Sequence, residues 1–464
     1  MVFSSLVFMF MFLPVVLAVY YILPRKFRNV FLFIASLFFY GYGEPVYIIL
    51  MLFSVGVNYF FGMGIEKAVN NPKKAKALLA ADVIINLSML GFFKYAGFFV
   101  ETLRVIPAFE GLEAISVPLP IGISFYTFQI MSYTIDVYRK ECKAQKSFVL
   151  LGTYISLFPQ LIAGPIVRYV DVENQLFHRK ETVELFTQGV KLFVLGLFKK
   201  VLLANPLGEA WALMKESSDS GVIGAWIGII AFTLQIYFDF SGYSDMARGL
   251  GKMLGFDFVK NFDFPYVAKS ITEFWRRWHI SLGTWFREYV YIPLGGNRCK
   301  KGRMVFNILA VWFLTGLWHG ASWNFIIWGV YFGILLLSEK LFLLKILEKL
   351  PKALSHIYAL FFIVVGWVIF DFTDIQAMAE YLKAMFTLKN GVIGEDAFVN
   401  FLGYLPVICV GAFASVPASK KLVKKIFSSK AGFIWETIAV CSGVLLSVAS
   451  LVNSGYNPFL YFRF

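Results

Sequence analysis

The sequence predicts an all-α, polytopic membrane protein, and three observations carry that prediction. Of 464 residues, 59% are apolar, 19% aromatic and 16% charged, against roughly 45–50% apolar and 25% charged in soluble domains. Apolar runs reach the ~20 residues that a hydrocarbon core of about 30 Å demands of a crossing helix. The charges collect between those runs rather than along them.

Runs at 3–23, 46–63, 78–100, 117–137, 222–240, 322–338, 398–416 and 433–451 meet or approach the spanning length. Shorter runs at 30–42, 148–166, 189–203, 305–317 and 358–370 are of a length that also suits re-entrant or buried segments. Together they predict about eleven crossings. The first run has no cationic segment before it and no cleavage site after it, so it is expected to remain as a helix rather than to be removed as a signal. No repeat and no Gly/Ser-rich or Pro-rich linker divides the chain, which is expected to be one integral membrane domain over 1–464.

A net charge of +14 would suit nucleic acid, but its distribution points to a membrane instead. PRKFRN at 24–29 holds three cations and no acid, EKAVNNPKKAK at 66–76 and RKECKAQK at 139–146 four and one each, and SKKLVKKIFSSK at 419–430 five and none. The intervening loops at 101–113, 205–221 and 371–396 hold more acid than base. Cationic loops face the cytoplasm. The alternation closes when 30–42 and 46–63 are separate passes hinged at GYGEP, which places the N-terminus outside. Cys142, Cys299, Cys409 and Cys441 have no paired spacing, which argues against a disulfide framework and a thiolate metal site.

Residues 239–303 break the apolar pattern: these 65 residues hold eleven Lys/Arg and six Asp/Glu and no run long enough to cross. The segment is expected at a water boundary, cytoplasmic or interfacial, or in a polar cavity. Within it, FWRRWHISLGTWFREYVYIPLGGNR places Phe274, Trp278, Leu282, Trp285 and Tyr289 on one helical arc of about 80°, with His279 at its border. Arg276, Arg277, Arg287, Glu273 and Glu288 project from the other face. Such a helix is expected to lie in the membrane plane, although Gly283 weakens it. Arg276 and Arg277 then bind lipid headgroups or the phosphates of an anionic acyl donor such as coenzyme A, for which the planar guanidinium is suited. Pro293 ends the helix, and Gly295–Gly296 form a tight loop that carries Asn297 and Arg298.

A second polar island, FLTGLWHGASWNFIIWG at 313–329, embeds His319 in apolar sequence; the segment 305–342 is expected to carry the reactive imidazole. Gly316, Gly320 and Ala321 thin the backbone around it, which suits close approach of a substrate or of another helix. An imidazole, with an ordinary pKa of about 6.5, is a proton acceptor usable at neutral pH. His178 and His356 sit in loop-like sequence and are expected at the surface. His279 and His319 fit no zinc or haem pattern. Asp239, Ser241, Tyr243, Ser244 and Asp245 form a further polar cluster after a span, expected either to line a donor entrance or to be a solvated loop.

These motifs resemble the membrane-bound O-acyltransferase superfamily, and within it the alginate O-acetyltransferase branch. The likeness extends through SFYTFQIMSYTIDVYR at 124–139, FPQLIAGPIVR at 158–168 and QIYFDFSGYSDMARG at 235–249 to NPFLYFRF at the end. The resemblance implies a ring of membrane helices with interfacial and re-entrant helices around a central tunnel, with His319 as the essential His and His279 as the second, more variable polar position. Substrate is expected at Trp275, Arg276, Arg277, Tyr291, Asn297, Arg298, Trp318, Asn324 and Asp239. Glu288 stands where many relatives carry Asp, with charge kept.

The resemblance further implies transfer of an acetyl group from a cytoplasmic donor, acetyl-coenzyme A or an acyl carrier, to hydroxyls of an extracellular polysaccharide. It implies residence in a bacterial cytoplasmic membrane, no bound cofactor and no metal, and an extracellular esterase-like (SGNH) acetyltransferase partner. His279, Asn324 and the Gly320 backbone N–H are the candidate oxyanion donors. Two other readings are D-alanyl transfer to teichoic acid and polysaccharide or lipid transport without acyl chemistry.

Overall fold

A computed structural model describes residues 1–216, 221–453, 459 and 460, and these form helices joined by turns; no strand occurs among the described residues. Of the terminal NPFLYFRF, Phe459 and Leu460 are described and the other six positions lie outside the described residues. The chain divides into two compact units, Met1–Phe193 with Met246–Val259, and Val194–Asp245 with Lys260–Phe464.

The first unit contains α1 (Leu13–Ile22), α2 (Arg25–Gly41), α3 (Tyr47–Lys67), α4 (Pro72–Arg104), α5 (Ile123–Arg139), α6 (Phe148–Ser156), α7 (Tyr169–His178) and most of α8 (Val183–Phe198). The chain breaks at GYGEP between α2 and α3. Pro72 stands at the first turn of α4, where no N–H is needed, and the Asn71 side chain accepts from the Lys74 N–H at 3.1 Å. The run expected at 117–137 becomes helical only at Ile123, because Pro118, Pro120 and a left-handed Gly122 (φ 78°) precede it. Phe3, Phe8, Phe12, Phe39 and Phe158 form one buried aromatic cluster.

This unit also buries polar groups at membrane depth, where each must find a partner within the protein. Asn58 of α3 and Asn86 of α4 exchange two amide hydrogen bonds of 3.1 Å. The Asp82 carboxylate accepts from the Asn86 amide at 3.2 Å and from the Thr134 hydroxyl of α5 at 2.6 Å. The network cross-links three helices.

The second unit continues with α9 (Asn205–Glu216), α10 (Gly221–Met253, whose last turns belong to the first unit), α11 (Ile271–Arg277), α12 (Ile280–Phe286), α13 (Lys301–His319) and α14 (Trp323–Ser338). It closes with α15 (Lys352–Asp371), α16 (Ile375–Phe386), α17 (Glu395–Ala414), α18 (Pro417–Phe427) and α19 (Gly432–Asn453). The acid-rich stretch from 205 is therefore helical as far as Glu216, and α16 occupies part of the acidic loop expected at 371–396.

The pair α13 and α14 is packed backbone to backbone. A Cβ on Gly316 would lie 2.3 Å from the Phe325 carbonyl oxygen, and one on Gly329 would lie 2.3 Å from that of Trp312. The space around His319 that the small residues create is thus taken by the neighbouring helix, as in glycine-mediated membrane helix pairs.

Six of the described helices are long and apolar enough to cross a membrane by themselves: α3, α4, α10, α15, α17 and α19. The expected figure of about eleven is not established by this measure. Several expected runs fold as shorter helices, among them α5 with 17 residues and α14 with 16.

Candidate active site

The segment expected as one amphipathic helix from Phe274 to Tyr289 is broken, and the break falls at His279 rather than at Gly283. Here α11 ends, His279 adopts a left-handed conformation (φ 45°), and α12 begins. The cause lies upstream, at Asn261. Its carbonyl accepts from Ile280 N–H at 3.0 Å, while its side-chain Oδ1 accepts from Ser281 N–H at 3.1 Å and Ser281 hydroxyl at 3.0 Å, capping α12. Positive φ in a residue with a Cβ is uncommon and concentrates at functional positions.

The Asn261 contacts also fix the state of His279. Because Oδ1 receives a backbone N–H, the amide orientation is determined, and the His279 Nδ1 at 3.3 Å from that oxygen must be the donor. The imidazole is buried, and desolvation pushes its pKa down to about 3. It is therefore neutral at physiological pH.

The preceding helix is hung from a buried acid. Glu339, in a π-turn that extends α14, accepts from Ile271 N–H at 2.6 Å, Thr272 N–H at 2.8 Å and Thr272 hydroxyl at 2.6 Å. Those are orphan donors of the first helical turn, where a carboxylate is stabilising. Trp275 then points inward rather than to a headgroup region, against Trp312 (4.7 Å), Trp328 (5.4 Å) and Phe332 (5.0 Å).

His319 is the last residue of α13 and is buried, 7% exposed. Its ring meets Trp328 at 4.9 Å, Trp318 at 5.1 Å and Phe370 at 5.4 Å. His279 meets the same Trp318 ring at 5.9 Å and Phe240 at 4.7 Å. Two imidazoles forty positions apart are thus assembled around one indole.

A small cavity opens beside His319, with a volume of about 20 Å³, room for about one water-sized group. Ile236, Asp239 and Phe240 of α10 line it, with Trp278, His319, Trp328, Trp367, Phe370 and Leu460.

Asp239 lies inside α10 and is buried, so the cluster from 239 to 245 is neither a loop nor solvated. The Lys200 ammonium is 2.6 Å from Asp239 Oδ1, both side chains being 3% exposed. The backbone N–H of Leu460 donates to Asp239 Oδ2 at 2.9 Å. Lys199 pairs with Asp245 one turn and a half further along α10, at 2.6 Å. Breaking such a buried pair by removing one member costs about 3–5 kcal/mol, because the other charge is stranded.

The remaining expected residues have other surroundings. Asn324 directs its amide to the carbonyls of Ile369 (3.3 Å) and Phe370 (2.9 Å), capping the C-terminal end of α15 and steadying the Phe370 ring over His319. Arg277 donates twice to Glu273 (3.0 and 2.9 Å) and once to the Asp263 carbonyl (3.1 Å), so its guanidinium fork is engaged within the protein. Hydrogen bonding from Lys260, aided by Arg277, holds the Asp263 carboxyl below the usual carboxylate range. Arg276 and Arg298 are exposed. Tyr291 donates to Asn297 at 2.7 Å, and Lys340 bonds both, the ammonium lying 3.0 Å from the Tyr291 hydroxyl. Gly295 and Gly296 have positive φ (111° and 52°), the conformation that the tight loop requires. His178 is exposed, and His356 is half-buried with Nδ1 3.0 Å from the Ala268 carbonyl.

Lys200, Asn261 and Glu339 escaped the sequence reading, as did the aromatic walls Trp328, Trp367 and Phe370. A cation in the apolar run at 189–203 was a usable signal for Lys200. None marked Asn261 or Glu339, whose partners are remote backbone groups.

Residues 124–379, more than half of the chain, match the family described as MBOAT, membrane-bound O-acyltransferase. The chain is 42% identical to a probable alginate O-acetylase of Azotobacter vinelandii, with all of both chains covered. It is 41% identical to a protein of the same description from Pseudomonas aeruginosa, covering 87% of this chain and 78% of the relative. It is 33% identical to a peptidoglycan O-acetyltransferase of Helicobacter pylori, covering 100% and 98%.

Proposed function

The chain belongs to the membrane-bound O-acyltransferase family and is a multi-pass membrane acyltransferase; from that premise we propose that it passes an acetyl group from a cytoplasmic thioester to hydroxyls of an extracellular polysaccharide. The observation that carries this reading is the imidazole of His319, facing a small cavity in an otherwise aromatic interior. The relatives described as acting on alginate and on peptidoglycan support a polysaccharide acceptor.

His319 takes the proton from the acceptor, or from a carrier hydroxyl, as its oxygen attacks the thioester carbonyl. The new C–O bond forms, the C–S bond breaks, and the proton passes to the departing thiolate. The developing oxyanion requires a donor. The His279 N–H is directed to Asn261 and the Asn324 amide to α15, which favours the Gly320 backbone N–H among the three candidates.

Exposed Arg276 is the cation of the Arg276–Arg277 pair suited to donor phosphates, since Arg277 is engaged by Glu273 and Asp263. Cationic stretches, the helix α18 among them, favour a cytoplasmic face for the donor, and the bacterial cytoplasmic membrane is the location that fits. An extracellular esterase-like protein would complete the transfer. D-Alanyl transfer is disfavoured: the carboxylate of the cavity, Asp239, is already matched by Lys200 and leaves no counter-charge for an alanyl ammonium.

The test is acetyl transfer from labelled acetyl-coenzyme A by the full chain in proteoliposomes, with alginate or peptidoglycan fragments as acceptor. His319→Gln should lose about 10²–10⁴ in rate while remaining folded. Undiminished transfer by that variant would refute the assignment.

A further inference from the structure

The cavity beside His319 has one wall that does not come from the helical bundle. Leu460 contributes it, and it is held there by two contacts to α10: its N–H donates to Asp239 at 2.9 Å, and the adjoining Phe459 ring stacks on Tyr243 at 4.6 Å. Both residues are buried, 4% exposed. The Lys200–Asp239 ion pair therefore has a second task besides matching charge, since the same carboxylate anchors the segment that closes the cavity.

The other walls are poorly placed to yield. Trp328 is wedged between Trp275 and Phe332, and Trp367 between Trp278 and Phe370, with centroid separations from 4.8 to 5.6 Å. Ile236 is fixed on the long helix α10. The remaining volume, about 20 Å³, is room for about one methyl-sized group, such as the end of an acetyl.

We infer that Leu460 is a specificity-determining residue, its side chain limiting the transferred acyl group to two carbons. The inference rests on the acyltransferase reading and adds to it a residue and a size rule. A hydrophobic wall discriminates one methylene by about 10-fold or more, so the effect is measurable. A smaller side chain at 460 admits a longer acyl group, and a larger one obstructs even acetyl.

The experiment is a competition between equal concentrations of acetyl- and propionyl-coenzyme A, with the full chain in proteoliposomes and alginate oligosaccharide as acceptor, the two esters being counted by mass spectrometry. Wild type should favour acetyl by about 10-fold or more, Leu460→Ala should reduce that preference about 10-fold, and Leu460→Phe should slow acetyl transfer about 10-fold. The two variants act in opposite directions, so either one alone, eluting as folded protein, decides the matter. An unchanged acetyl-to-propionyl ratio in Leu460→Ala, an equal loss of both esters in it, or undiminished acetyl transfer by Leu460→Phe overturns the inference, while the acyltransferase reading stands so long as wild type is active and His319→Gln is not. A wild type that transfers neither group overturns both.

Discussion

Both units bury ionisable groups, yet they use them differently. In the first, Asp82 meets Thr134 and Asn86, and Asn86 meets Asn58, all at bonding distance and all on helices that the contacts tie together. In the second, Asp239, paired with Lys200, and His319 line one cavity, and the other hydrogen bonds near them come from residues that hold its walls in place. An ionisable side chain at membrane depth is thus a weak marker of chemistry by itself. A cavity lined by a titratable group is the stronger one.

The largest expected difference lies in rate. His319→Gln should abolish transfer to the extent given above, whereas Asp82→Asn, which preserves shape and an acceptor oxygen for Thr134, should leave the rate per folded molecule unchanged. Comparable losses in both would erase the contrast between the units. Next comes stability: Lys200→Met should cost about 3–5 kcal/mol by stranding Asp239, and Lys200→Met with Asp239→Leu should recover much of it. Chemical denaturation in detergent would check this, and equal loss in single and double variants would contradict the pairing.

Acid should act through His279. Its folded pKa of about 3 lies below the ordinary 6.5, so between those values the unfolded chain binds the extra proton and stability falls as pH falls. The slope is at most about 1.4 kcal/mol per pH unit for one proton. The melting temperature should therefore decline from pH 6.5 downwards, and His279→Gln should flatten the decline. The smallest effect belongs to the first unit: Asn58→Leu should cost about 1 kcal/mol, seen as a modest drop in melting temperature with transfer intact.

How much of this was legible in the sequence depends on the range of the forces involved. Apolar runs declare helices because burial is a property of consecutive residues, and α3, α4, α10, α17 and α19 lie where the hydropathy places them. His319 stood out as a titratable group alone among apolar neighbours, and the structure buries it beside the cavity. The break at His279 was not, since the arc of Phe274, Trp278 and Trp285 is periodic and the capping oxygen comes from Asn261, eighteen positions upstream. Arg277 falls on the polar side of the expected arc, but its partners Glu273 and Asp263 decide what it can bind. The place of Asn324 was hidden for the same reason, its acceptors lying on a helix 45 and 46 positions away.

The cap that Glu339 places on α11 gives α14 the character of a shared ruler. One rod presents Trp328 to the imidazole near its start and fastens the Trp275 helix at its far extension. A bend or slide of that rod would carry both attachments together, so thermal excursions of the scaffold should displace Trp275 and the His319 surroundings in step, preserving their register.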